Sequence, residues 1–316
     1  LSLRALRAKT SLRIYAGSLI AGAIFGLGLH SYIAYRILPL LFVIFYVWHF
    51  MHRKGLERKQ VLFAGILFVV GATLAFAPLG MYFIKHPEDF MGRTSQVSVF
   101  SSPSPLRDLG SNIVKTVGMF GIRGDGNWRH NIANAPELLF PLSIFFWLGV
   151  ALGIKHLVSL FKKGARRAEA SPFFFVALSL ALAALPVVIS NEGIPHALRS
   201  ILMIPGSVLV AGFGAHWLWQ RLRHYRRISH VALILFSIFF ILQAYTAYFL
   251  TWGKNPSLAG AFTADYVSLG NTIKTLPREL PKYIVVKADG VLVRGIPMPS
   301  QPLMFLTDTF LPEGQK

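Results

Sequence analysis

Seven stretches of nearly unbroken apolar sequence divide the chain, at about 14–29, 32–51, 61–84, 138–154, 173–189, 201–218 and 228–250. A helix needs about 20 residues to cross the hydrocarbon core of a bilayer, with roughly 17–25 tolerated. In lipid only a helix or a closed barrel satisfies every backbone donor and acceptor internally. Runs of this length therefore read as spanning helices, and 54% apolar against 14% charged residues is the balance expected of them. The first two runs nearly touch, which demands a tight turn around His30, Ser31 and Tyr32.

Charge then orients the runs. Seventeen of the 32 Lys and Arg residues fall in four short segments. These hold Arg4, Arg7, Lys9 and Arg13; Arg53, Lys54, Arg58 and Lys59; Lys155, Lys162, Lys163, Arg166 and Arg167; and Arg221, Arg223, Arg226 and Arg227, with only Glu57 and Glu169 among them. They lie before run one and between runs two and three, four and five, and six and seven, so strict alternation puts every basic segment on the cytoplasmic side. The net charge of +19 is accounted for by topology, and a nucleic-acid partner is not expected. Eleven of the 13 acidic residues fall in the other segments, which alternation puts outside.

The expected fold is an all-α polytopic membrane protein of about seven transmembrane helices, with a small external α/β unit at its C-terminus. The helical region is 1–252, with external loops 85–137 and 191–199, and the external unit is 253–316. In that unit 262–276 has helical periodicity, 283–286 reads as a buried strand, 291–293 follows a turn as a second strand, and 301–306 starts a helix. The chain opens on Leu1 with no signal-peptide pattern and reads as a piece cut inside a basic loop. It has no cysteine, so it forms no disulfide and offers no thiolate ligand.

Gly22 and Gly26, and Ser207, Ala211 and Ala215, repeat a four-residue spacing that lets helix backbones approach closely. No run carries an acidic residue, Lys or Arg near its middle, which disfavours a transporter path. The polar residues instead collect in the segments assigned to the outer boundary. Tyr35 and Arg36 suit either an aromatic belt with a snorkelling cation or a binding role. His86, Glu88 and Asp89 read as the first turn of a helix or, alternatively, as a carboxylate pair for acid/base work or a metal, with Arg93 close behind. The glycine-punctuated loop 121–131 carries Asp125, Asn127, Trp128 and Arg129, which suits stacking on a sugar ring or a plain surface turn. The short link 191–199 carries Glu192, His196 and Arg199. Anion binding, structural anchoring and ligation of a divalent metal by Glu192 and His196 all remain open there.

In this order, Gly26-Leu27-Gly28-Leu29 leading to Tyr32 and Arg36, the stretch 86–100, the Gly-Asp-Gly-Asn-Trp-Arg-His-Asn loop and the stretch 191–205 resemble bacterial GT-C type membrane glycosyltransferases. That group is related to the dolichyl-phosphate-mannose protein O-mannosyltransferases and the lipid A aminoarabinose transferases. The resemblance implies transfer of a sugar from a polyprenyl-phosphate donor to a hydroxyl of a glycan, lipid or protein acceptor, at the outer face of the bacterial inner membrane. It implies that Arg199, with His196, Arg93 and Arg36, binds the donor phosphate, and that Tyr35, Asp125, Asn127, Trp128, Arg129 and Glu192 belong to substrate loops. The family's general base lies in a loop that no segment here matches. No catalytic residue is therefore assigned, and neither Asp89 nor Asp125 is given that role. No cofactor is assigned, and a divalent metal is left open. A multi-pass transporter or a membrane scaffold is the alternative.

Overall fold

The computed structural model describes residues 11–91, 98–160, 167–191, 193–277, 279–285, 292–293 and 296–310. It divides into two compact units. The first comprises 1–126 and 134–240, and the second 127–133 and 241–316.

The first unit is helical. Its long elements are α1 (Ser11–Gly28), α2 (Pro39–His52) and α3 (Gly55–Lys85). The short α4 (Pro87–Met91) and α5 (Pro105–Gly118) lead to α6 (Phe140–Leu160), α7 (Arg167–Val188), α8 (Ile204–Leu222) and the start of α9 (Arg226–Tyr245). Among the described residues five helical stretches are long and apolar enough to cross a membrane: Ile33–Met51, Gly55–Lys85, Phe140–Val158, Ile201–Leu222 and Ser229–Trp252. The remaining two expected runs are shorter apolar helices, Leu12–Gly28 and Phe173–Val188. The stretch Ser229–Trp252 buries none of its most apolar window within the protein. Leu235 and Ile241 stand 61% and 65% exposed on it. In water such a surface is a large unfavourable apolar patch; in hydrocarbon it carries no penalty.

Between lipid-embedded helices burial of apolar surface supplies no drive, so close backbone packing has to. The small residues provide it. A Cβ on Gly22 would overlap the Phe68 carbonyl oxygen, and one on Gly71 the Leu19 carbonyl oxygen, so α1 and α3 meet backbone to backbone. Phe25 and Phe68 are buried around this crossing, with Phe42 stacked on Phe68 at 4.6 Å. A second crossing joins α6 to α8, where Gly149 faces the Val210 carbonyl and Gly214 the Phe145 carbonyl. Ser207 and Ala211 are buried beside it, which is the packing role their spacing suggested.

The segment 85–137, expected as a loop, contains α5, opened by Ser104 and Pro105. Its faces are inverted relative to a soluble helix: Asn112 and Thr116 are buried, while Leu106 and Val114 are 84% and 72% exposed. The helix start expected at Pro87 is present as α4, with Glu88 and Asp89 in its first turn.

In the second unit α9 runs on into a π-helical turn, Thr246–Trp252, followed by α10 (Ser257–Ala261), α11 (Ala264–Thr275) and α12 (Gln301–Leu306). Gly270 lets α11 pack against Leu303 and Leu306 of α12. The strand content described is one two-residue antiparallel ribbon, β1 (Leu292–Val293) with β2 (Ile296–Pro297). The expected buried strand at 283–286 is not formed over its described part, where Tyr283 and Val285 are 92% and 91% exposed. A β-branched run needs a ladder partner to be a strand, and among the described residues none is paired with it.

Candidate functional site

The helices α7 and α8 are joined by the segment 189–203, and its polar groups are fixed from three directions. Val99 N–H donates to the Ile189 carbonyl at 2.8 Å, and Ser98 forms a bridge with Ser190. The Asn112 amide donates to the carbonyls of Val188 at 3.0 Å and Ser190 at 2.7 Å. Arg199 donates from a guanidinium nitrogen to Ser190 Oγ. Backbone carbonyls past a helix end need partners, and here the Asn112 side chain and the Val99 N–H supply them.

The turn His196–Ser200 is compact: Ser200 N–H donates to the carbonyls of His196 and Ala197, and Ser200 Oγ also donates to Ala197. Its other anchor is Asp125. This carboxylate is 3% exposed and accepts the Ala197 N–H at 2.8 Å through Oδ2. Its backbone is clamped too, with Asp125 N–H donating to Glu137 Oε1 at 3.0 Å and Asn134 N–H to the Asp125 carbonyl at 2.7 Å. A charge-assisted bond to a buried carboxylate is among the stronger interactions a loop can have. It joins the loop 121–126 to the Arg199 turn. Asp125 and His196 also bring ligand atoms within 4.8 Å of one another, a carboxylate and an imidazole of the kind divalent metals take.

Tyr35 and Arg36 lie in a 3-10 turn, Ile33–Ile37. The Tyr35 ring stands where a side chain on Gly28 would be, 5.3 Å from Phe25, so the glycine of the Gly-Leu-Gly-Leu stretch is a packing requirement of Tyr35. Arg36 lies over the rings of Phe83 at 4.8 Å and Phe90 at 4.3 Å and donates to the Phe90 carbonyl at 2.6 Å. Cation–π contacts hold its plane in place while leaving further N–H groups for an anion.

Aromatic pairs give the direction of these elements. Phe45 lies 5.0 Å from Phe175, and Trp48 stacks on Phe174 at 5.1 Å, so the C-terminal half of α2 meets the N-terminal part of α7. The two helices therefore run antiparallel, and the Arg36 turn shares an end of the first unit with Ser190 and Arg199. Beside that turn an apolar groove of about 670 Å³ opens between α2 and α3. It extends from Leu29, Pro39 and Phe76 near Arg36 to Phe50 and Val61 at the other end.

The remaining expected residues behave differently. Asn127, Trp128 and Arg129 belong to the second unit, so the loop 121–131 is divided between units after Gly126. The Trp128 carbonyl accepts from Trp252 Nε1 at 2.8 Å, and Asn127 Oδ1 accepts the Arg129 N–H at 2.9 Å. Arg129 gives Nε and a terminal nitrogen to the Ala261 carbonyl, at 2.9 and 2.7 Å, and so acts as a clasp on α10. Arg93 and Glu192 lie outside the described residues. Sequence reasoning passed over Asn112, Ser190 and Ser200. Only the Ser104-Pro105 helix start hinted that Asn112 was placed by a helix.

No protein-family model, curated protein or solved structure matches this chain.

Proposed function

We propose that this membrane protein is a glycosyltransferase of GT-C type that takes a sugar from a polyprenyl-phosphate donor. The observation that carries the reading is the apolar groove of about 670 Å³ that starts beside Arg36, at the end of the helices that also holds Arg199 and His196. A polyprenyl phosphate is a long apolar chain headed by an anion, and an apolar groove that begins three residues from Arg36, at Pro39, suits such a chain. Arginine suits the headgroup because its planar fork offers two parallel donors to phosphate oxygens.

In the proposed reaction an acceptor hydroxyl oxygen forms a bond to the anomeric carbon while the bond from that carbon to the phosphate oxygen breaks. The electron pair leaves with the lipid phosphate, the hydroxyl proton goes to a base, and the anomeric configuration inverts. Negative charge grows on the departing oxygen, so cations fixed beside it lower the barrier. Arg199 and Arg36 are assigned that role, with His196 beside Arg199. If a divalent cation takes part, Asp125 and His196 are its nearest candidate ligands.

The proposed setting is the outer face of the bacterial inner membrane, with basic segments inside and the C-terminus outside. The inverted amphipathic face of α5 supports it: Leu106 and Val114 suit the acyl boundary, while Asn112 holds the helix to the protein.

The test uses the purified protein in lipid nanodiscs with a radiolabelled polyprenyl-phosphate hexose. Saturable donor binding, weakened at least tenfold by Arg36→Gln and competed by unlabelled polyprenyl phosphate, is expected, about 1.4 kcal/mol of binding. Donor retention that is non-saturable, or equal in Arg36→Gln, overturns the reading.

A further inference from the structure

A second pocket, of about 420 Å³, lies at the opposite ends of the helices, between the C-terminal turns of α6 and α8 and the start of the apolar part of α7. Its wall is aromatic. Phe173 stacks on Phe213 with ring centres 4.1 Å apart, and His156 lies 5.4 Å from Phe173. Gly153 makes room for this arrangement, since a Cβ there would stand 2.8 Å from the Phe173 ring. The rim is polar and basic. It carries Lys155, together with His216 hydrogen-bonded to Gln220 across 2.8 Å. Arg221 lies just outside, its guanidinium 5.2 Å from the Trp217 ring centre. Among the described residues that line the pocket there is no carboxylate.

Depth in the bilayer follows from the sequence positions. The apolar stretch Phe140–Val158 ends three residues beyond Lys155, and Ile201–Leu222 ends two beyond Gln220. The pocket therefore sits where both helices leave the hydrocarbon, with its aromatic floor toward the acyl chains and its cations at headgroup level. This is the geometry in which basic pockets between membrane helices take up anionic headgroups, and long basic side chains near helix ends reach that level readily.

We propose that this pocket binds the phosphate-bearing headgroup of an anionic glycerophospholipid from the adjacent leaflet. The phosphate meets Lys155 and the His216–Gln220 pair, and the first acyl carbons lie on the Phe173–Phe213 stack. The site is separate from the proposed donor groove, and it does not depend on the transferase reading.

The experiment presents delipidated full-chain protein in neutral detergent with phosphatidylglycerol, phosphatidylcholine or inorganic phosphate, and reads bound lipid by native mass spectrometry. Phosphatidylglycerol should be retained about fivefold more tightly than phosphatidylcholine, the scale set by one basic side chain at an anionic surface. Inorganic phosphate should not displace it. The preference should vanish in Lys155→Gln with His216→Gln, and persist in Lys155→Arg and in Arg58→Gln, whose guanidinium stacks on Phe50 away from this pocket. Lys155 and His216 are exposed at the rim, so the double variant keeps the fold. Equal retention of the two lipids, displacement by inorganic phosphate, or an equal loss in Arg58→Gln overturns the proposal.

Discussion

The Asn112 side-chain amide donates to the Ser190 carbonyl at 2.7 Å, joining a helix inside a polar loop to the turn that carries Arg199. The same nitrogen donates to Val188 at 3.0 Å, so one side chain satisfies two carbonyls at the end of α7. Asn112→Ala leaves both buried acceptors without this donor and should cost about 1–3 kcal/mol. Thermal unfolding in detergent should show a clear fall in Tm. Asn112→Asp should be worse, because a carboxylate faces two carbonyl oxygens.

Arg199 has a structural partner in Ser190 and a proposed ligand in the donor phosphate. The two roles separate on substitution. Lysine reaches Ser190 with a single donor but does not reproduce a bidentate grip on phosphate. Arg199→Lys should therefore leave Tm nearly unchanged while lowering sugar transfer tenfold to a hundredfold, about 1.4–2.7 kcal/mol of barrier. Full activity in Arg199→Lys would make Arg199 an anchor only.

The α1–α3 crossing gives a contrast between two glycines. Gly22 faces the Phe68 carbonyl with no room for a Cβ, whereas a Cβ on Gly110 in α5 meets nothing within 4 Å. Gly22→Ala should destabilise the protein by about 1–3 kcal/mol through forced backbone separation. Gly110→Ala should stabilise it by about 0.5–1 kcal/mol, as it removes a helix-interior glycine. Thermal melts of the two variants should move in opposite directions.

The proposed topology is checked by reporter fusions after Lys54, just before α3, and after Lys316. Opposite sides are expected for the two, with Lys54 cytoplasmic. A common side would remove the basis for an outer-face reaction.

The inverted face of α5 predicts contact with lipid. A fluorophore at Val114 should be quenched by brominated acyl chains, and one at Lys115 quenched less. Equal quenching at both positions would mean that the helix does not lie with this face on the bilayer.

Sequence alone determined that this chain is a helical membrane protein and where its long apolar helices run. Those properties are sums over about 20 neighbouring residues, and hydrocarbon as solvent admits almost no other backbone solution. The packing role of Gly22 and Ser207 was legible for the same reason, because helix periodicity alone puts small residues on one stripe. The polar end was legible only as a set of residues. Asp125 and Ala197 are 72 positions apart, and Asn112 and Ser190 are 78 apart, so their hydrogen bonds exist only once the helices are assembled. Tertiary structure also divided the loop 121–131, giving Asp125 to the Arg199 turn and Arg129 to the Ala261 carbonyl. Among the described residues it gave the run at 283–285 no ladder partner, which a strand requires. Local composition decides which solvent a segment enters. Which polar group meets which is decided by long-range pairing of buried donors and acceptors, and no window of sequence contains both partners.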